Sequence, residues 1–166
     1  MASKTPSAII RNITAADWPA ILEIQLECYP SIAPESLAAL QSKWLASELS
    51  CFSLQQGNQL VGYCLAHPWQ LNHPPTLNQQ IAPLSNANTL YLHDLALSAS
   101  AQGQGAGKRI LAQLIVFAQQ QGYRNISLVA VQGAASYWQH LGFVSHSIDK
   151  DLSEYCADAQ YMVYTL

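Results

Sequence analysis

The stretch Leu95-Ala96-Leu97-Ser98-Ala99-Ser100-Ala101-Gln102-Gly103-Gln104-Gly105-Ala106-Gly107-Lys108-Arg109 constrains this chain more than any other. An apolar run suited to a buried strand breaks into a loop with glycines at alternate positions, then enters an amphipathic helical pattern. Alternate glycines let backbone amides converge on one point, and the helix N-terminus adds its partial positive charge. Such a loop calls for an anion, and a cofactor pyrophosphate is the usual one.

Spacing narrows the choice of cofactor. A Walker A loop requires G-x-x-x-x-G-K-[ST]. Here Gly103 and the Gly107-Lys108 pair stand one residue too close, and Arg109 occupies the place of the magnesium-binding hydroxyl. A dinucleotide fingerprint requires a third glycine where the chain has Lys108. The following apolar run, Ile126 to Val131, also ends without the acidic residue that would hold a ribose. Both nucleotide readings fail.

The pattern that fits is Q-x-x-G-x-G, carried by Gln102, Gly105 and Gly107, five residues after Leu97 at the end of a Leu-Ala-Leu strand. It resembles the acetyl-CoA-binding motif of the GCN5-related N-acetyltransferases. Further on, Ala134-Ala135-Ser136-Tyr137-Trp138-Gln139-His140-Leu141-Gly142-Phe143 is similar to the family's helix ending in Leu-Gly-Phe, and Ile9 to Asp17 resembles its first strand and helix entry. The resemblance spans nearly the whole chain, with the loop and the Gly-Phe helix end its specific parts.

Composition agrees with one such domain over 1–166. A chain of 166 residues buries a single sizeable core, and half its residues are hydrophobic while a tenth are charged. The net charge of −3 argues against nucleic acid and acidic membrane surfaces and is compatible with a cationic amine substrate. No apolar run approaches a membrane span, and the N-terminus lacks a signal-peptide core. Cys28, Cys51, Cys64 and Cys156 have no C-x-x-C spacing, which suits idle thiols in a reducing cytoplasm. The five histidines show no metal-ligand spacing, so no metal is expected.

Strands and helices alternate along the chain. Ala8 to Ile13 reads as a strand, after which Thr14 caps a helix whose apolar positions are Trp18, Ile21, Leu22 and Leu26. Pro34 and Glu35 open a second helix running to about Leu49. Cys51 to Gln56 and Gln59 to Ala66 form a hairpin across Gly57-Asn58. His67 to Asn88, rich in Pro, Asn and Gln, reads as a long irregular loop, either lining a site or forming a plain surface excursion. Thr89 to Leu97 is the central strand, 105–121 a helix, Ile126 to Val131 a strand covered on both faces, and Phe143 to Ser147 and Tyr161 to Leu166 the last strands. The expected fold is α/β (α+β): one mixed sheet of about six to seven strands flanked by helices.

The resemblance implies where function sits. In the family two parallel strands splay apart, and the pantetheine arm inserts between them; here these would be Thr89–Leu97 and Ile126–Val131. Leu95, Ala96 and Leu97 would hold the acyl-pantetheine part, and amides from Gln102 through Gly103, Gln104, Gly105, Ala106 and Gly107 to Lys108 the pyrophosphate. Lys108 and Arg109 either add charge or are simply solvated. Many relatives carry an asparagine after the second strand, where this chain has Val131-Gln132, so Gln132 would substitute for that contact.

Amine attack on a thioester needs a base to accept the proton, a donor for the thioester oxygen and a route for the leaving thiolate. His93 is the base candidate because histidine titrates near neutrality, and some family members carry a histidine at this position as base. Strand alternation sets Tyr91, His93, Leu95 and Leu97 on one face, up to any bulge, and Asp94 on the other, as a second amine-binding candidate. The family's acid is a tyrosine five residues before the phenylalanine of Gly-Phe. This chain has Trp138 there, whose indole delivers no proton at neutral pH. Tyr137 lies about 100° around the helix and reaches only if the helix is rotated; otherwise the thiolate leaves unaided or Tyr91 or Tyr161 helps, so the acid is unassigned.

The leading reading is acetyl transfer from acetyl-CoA to a small primary amine. Peptide or protein acetylation and a non-catalytic acyl-CoA-binding module are the alternatives, with monomer and homodimer both open.

Overall fold

The structure, a computed structural model, describes residues 7–166. Residues 1–6, part of the N-terminal stretch judged above for a leader, lie outside the described residues. Seven strands form one sheet: β1 (Ile9–Asn12), β2 (Phe52–Gln56), β3 (Gln59–Trp69), β4 (Thr89–Leu97), β5 (Asn125–Ala130), β6 (Val144–Ser145) and β7 (Gln160–Thr165), in the order β1-β2-β3-β4-β5-β7-β6. Four helices cover it: α1 (Trp18–Cys28), α2 (Leu37–Ala46), α3 (Ala106–Gln120) and α4 (Ala135–His140). Among the described residues, no helix is long and apolar enough to cross a membrane.

Strand alternation divides the core into two faces. Cys64, Ala66, Leu90, Leu92, Ile126, Leu128 and Met162 pack against Ile110 and Leu114 of α3 and Trp138 of α4. Tyr63, Leu65 and Ala96 pack on the other face against Trp18 and Ile21 of α1 and Leu40 of α2. The α1 stripe departs from the expected one. Trp18, Ile21, Ile24 and Gln25 are buried, whereas Leu26 is 60% exposed. A polar residue, Gln25, completes the buried face, so counting apolar positions put the stripe one residue off.

The other differences lie at element ends. Ser36 caps α2 by accepting from the Ala39 amide at 3.1 Å, so the helix starts after Glu35 rather than with it, and it ends at Ala46. Strand β3 runs through His67-Pro68-Trp69, which pair with Tyr91, Leu90 and Thr89, so the irregular segment begins only after Trp69. Strand β2 leaves β3 at Cys64, so Pro68 sits on a free edge where its missing N–H costs no ladder bond.

Two irregularities in β4 prepare the site. Leu65 pairs with Asp94 but Ala66 pairs with Leu92, leaving His93 as an extra residue bulged out of the ladder. The bulge reverses the alternation beyond it. Leu95 and Leu97 pack with Leu92 on the α3 face, while Asp94 and Ala96 turn to the α1 face. The expected grouping of Tyr91, His93, Leu95 and Leu97 on one face therefore holds only for Tyr91 and His93. The second irregularity is the parallel β4–β5 pair, which runs through Leu90–Ile126, Tyr91–Ser127 and Leu92–Leu128 and then stops.

Candidate active site

Beyond Leu92 the edge of β4 that faces β5 is open. The carbonyl of Leu95 accepts from the Tyr29 hydroxyl at 3.2 Å, and that of Leu97 accepts from Cys28 Sγ at 3.2 Å and Gln102 Nε2 at 3.1 Å. Both carbonyls thus point into the splay, away from β3. A cavity of about 1390 Å³ follows this opening from the glycine loop to the connection between α1 and α2.

At one end Gly103 and Gly105 take left-handed φ values of +76° and +74°, and Gly105 caps α3. A β-branched residue would be strained there, and the open space beside Gly105 leaves the α3 N-terminus free to meet an anion. Gly107 is needed for a different reason: a Cβ there would stand 1.8 Å from the Tyr137 hydroxyl. Lys108 lines the cavity, whereas Arg109 turns away and donates to the Ala8 carbonyl at 3.0 Å. Gln104 spends its side-chain amide on Ser100. Gln132 reaches the cavity, but its amide donates to the Cys28 carbonyl at 3.0 Å and straps the loop after β5 to the end of α1.

Helix α4 separates the two aromatic candidates. Trp138 is buried edge-on against Phe143 as a core residue that touches the cavity wall. Tyr137 is the half-exposed neighbour, and its hydroxyl lies over the first turn of α3. Burial raises its pKa above the ordinary value, so the phenol keeps its proton at neutral pH.

At the opposite end lies His93, whose side chain is 2% exposed. Its Nε2 is 2.7 Å from Oε2 of Glu35, and its Nδ1 is buried with no hydrogen-bond partner among the described residues. Burial alone would raise the Glu35 carboxyl. The charge and hydrogen bond of His93, the Asn78 amide at 2.8 Å and the ammonium of Lys43 hold it instead at about 2. Lys43 is fully buried, 3.9 Å from Glu35, and burial lowers its pKa against the pull of that carboxylate. Asp94 accepts from the Tyr29 and Tyr63 hydroxyls at 2.5 Å each, and burial raises its pKa.

His67 had no role in the sequence reading, yet its ring centre lies 6.3 Å from that of His93. Burial, aided by the nearby charge of His93, pushes its pKa to about 3, so it stays neutral. Glu35, Tyr29 and Lys43 were missed as well. Each reaches the site from a segment distant in sequence, and no local pattern marks them. The irregular segment after β3 is pinned, not free. The Tyr155 hydroxyl donates to the Pro75 carbonyl, Lys150 to the Pro74 carbonyl at 2.9 Å, and Leu77 lines the cavity. No cluster of three metal-ligating side chains occurs among the described residues.

Comparisons with known proteins agree on one family. The sequence model described as "Acetyltransferase (GNAT) family" matches residues 18–143. N-acetyltransferase 8F1 of Rattus norvegicus is 29% identical over 110 residues, which cover 64% of this chain and 45% of that protein. The chain thus spans just under half the length of the curated relatives it matches. Among solved structures, a GNAT-like decarboxylase, GphF, in complex with isobutyryl-CoA superposes with a TM-score of 0.79 at 14% identity, covering 95% of this chain and 98% of that one. A GNAT family acetyltransferase from Elizabethkingia anophelis with acetyl-CoA bound superposes with a TM-score of 0.67 at 16% identity, covering 96% and 99%. Identities this low speak for the fold alone, and the sequence match carries the rest: the chain belongs to the GNAT acetyltransferase family.

Proposed function

We propose that the chain, acting as one domain over 1–166, is an acetyl-CoA-dependent N-acetyltransferase whose acceptor is a small primary amine. The observation that carries this reading is the coincidence, along one cavity, of a left-handed glycine loop at a helix N-terminus, an opened strand edge, and a buried histidine whose Nδ1 has no hydrogen-bond partner among the described residues.

The residues fit the donor in order. Amides from Gln102 to Lys108 would hold the pyrophosphate, with Lys108 adding charge. The freed edge of Leu95 to Leu97 would pair with the amides of the pantetheine arm. When bound, the thioester supplies an activated acetyl group.

His93 Nδ1 takes the proton of the attacking amine, directly or through a water. Extended backbone puts the Leu95 amide on the same side as its carbonyl, facing the splay, where it can donate to the thioester oxygen as charge builds. Tyr137 retains its proton and is the donor for the leaving thiolate, a role that the buried indole of Trp138 cannot fill.

The acceptor end favours a cation. Glu27, Glu35, Asp94 and Asp158 line the cavity, and among the described residues the one lysine or arginine that lines it is Lys108, in the glycine loop. The ties from Lys150 and Tyr155 to Pro74 and Pro75 hold the segment before Leu77 in place beside that end, which supports a small amine over a peptide.

The test is product analysis by mass spectrometry, with acetyl-CoA offered to small amines without a carboxylate, to amino acids and to peptides. Acetylation of the uncarboxylated amines with the highest kcat/KM is expected. Preference for peptides would move the acceptor to that class, and donor binding without any product would leave a binding module. Carbon dioxide release from a carboxylated acyl-CoA, without an acceptor, would replace transfer by decarboxylation.

A further inference from the structure

We infer that Glu35 is a positioning residue for this reaction, fixing the His93 ring with its proton on Nε2 so that Nδ1 is the nitrogen that receives the acceptor's proton. The inference rests on the proposed role of His93 as base.

The tautomer follows from the partners. An ionised carboxylate only accepts hydrogen bonds, so across the 2.7 Å contact His93 Nε2 must donate. The form that acts as base is the neutral imidazole, which carries one N–H and so leaves the lone pair on Nδ1. That atom is buried with no partner among the described residues, and buried acceptors are rarely left so. A donor completes the site, and an amine or a water on its way to one is such a donor. When the proton arrives, the ring becomes an imidazolium beside the Glu35 carboxylate, which stabilises it.

Glu35 is itself held from several directions. Its backbone amide donates to Gln25 Oε1 at 2.9 Å, and Gln25 Nε2 donates back to its carbonyl at 3.2 Å. These two bonds account for a glutamine on the buried face of α1. Oε1 accepts from the Asn78 amide and faces Lys43, so Oε2 is left to His93. The remaining groups around the ring are neutral His67 on β3, Tyr91 on β4 with its partner Tyr155, and Asp94, which is turned toward two tyrosines. Glu35 is the carboxylate in contact with the ring.

The test uses the full chain and two readouts. Imidazole nitrogen NMR, with the His93 signals assigned by their loss in His93→Ala, should show a protonated Nε2 and a bare Nδ1. With acetyl-CoA and the fastest amine of the panel, Glu35→Gln should lower kcat about tenfold or more. KM for acetyl-CoA should hold. In the His93→Ala background the same change should cause no further fall. Glu35→Gln combined with Lys43→Met removes the carboxylate with its buried countercharge and repeats the test if the single variant misfolds. A protonated Nδ1, or equal losses in both backgrounds, would make Glu35 a structural staple and overturn the inference. Full activity in His93→Ala would instead remove the base reading beneath it.

Discussion

The hydroxyl of Tyr29, at the end of α1, donates to Oδ1 of Asp94 on β4 across 2.5 Å, joining residues 65 positions apart. Tyr63 donates to the other carboxylate oxygen at the same distance. The bulge at His93 turns Asp94 toward these hydroxyls, so it also sets where α1 lies against the opened strand. Asp94→Ala would leave the buried Tyr63 hydroxyl without its acceptor, at about 1–3 kcal/mol, while Tyr29 keeps its longer contact to the Leu95 carbonyl. Urea denaturation should show a loss of about 1–3 kcal/mol. Acetyl-CoA affinity, which the proposal assigns to the glycine loop, should change little. A stability change within about 0.5 kcal/mol, the size of an ordinary surface substitution, would mean the network carries no load.

Acid should unfold the protein through two carboxyls. Arg11 hydrogen bonds, with help from the Thr14 amide and Ser53, hold Asp17 at about 2, against an ordinary 3.8, and Glu35 lies at about 2 against 4.5. Both are depressed in the fold, so each stabilises above its ordinary value, and that contribution is lost as pH falls toward 2. Asp94 is raised, so its contribution has the opposite sign and fades as pH rises through its shifted value. The urea midpoint should therefore drop between pH 5 and about 2. Asp17→Asn should lower the neutral-pH midpoint and flatten that drop. An unchanged slope would show that Arg11 and Asp17 do not act as described.

Tyr137 and Trp138 should separate cleanly in kinetics. Tyr137→Phe removes a half-exposed hydroxyl and should lower kcat with little loss of stability. Trp138→Ala empties a core position against Phe143 and should cost about 3–5 kcal/mol, while a folded Trp138→Phe keeps its turnover. The reverse outcome would return the acid role to position 138.

Removal of the base is the sharper mechanistic probe. His93→Ala should reduce kcat by about 10²–10⁴ and flatten the acid limb of the pH–rate profile. Acetyl-CoA binding should stay intact. A profile identical to that of the wild type would exclude His93 from proton transfer.

Local signals in the sequence marked the hairpin, the glycine loop and the amphipathic helix that follows it, because each is written in neighbouring residues. The phase of β4 was not legible. It depends on β3 offering one residue fewer between Leu65 and Ala66 than β4 does between Leu92 and Asp94, a register fixed only by pairing. Glu35 was hidden for a similar reason. It stands 58 residues from His93 in a segment that reads as a helix start, and only the packing of α1 against β4 joins them. Leu26 and Pro68 misled in opposite directions, one by looking apolar on an exposed face and the other by looking like a break on a free strand edge.

The most direct measurement is a calorimetric titration of acetyl-CoA into the wild type and Gly105→Val. The left-handed φ at Gly105 strains a β-branched side chain, which would also project where the phosphates meet the α3 N-terminus. Saturable one-site binding by the wild type, lost in a folded Gly105→Val, is the result expected. No binding by the folded wild type, or equal binding by both proteins, would contradict the assignment of the glycine loop and the transferase built on it.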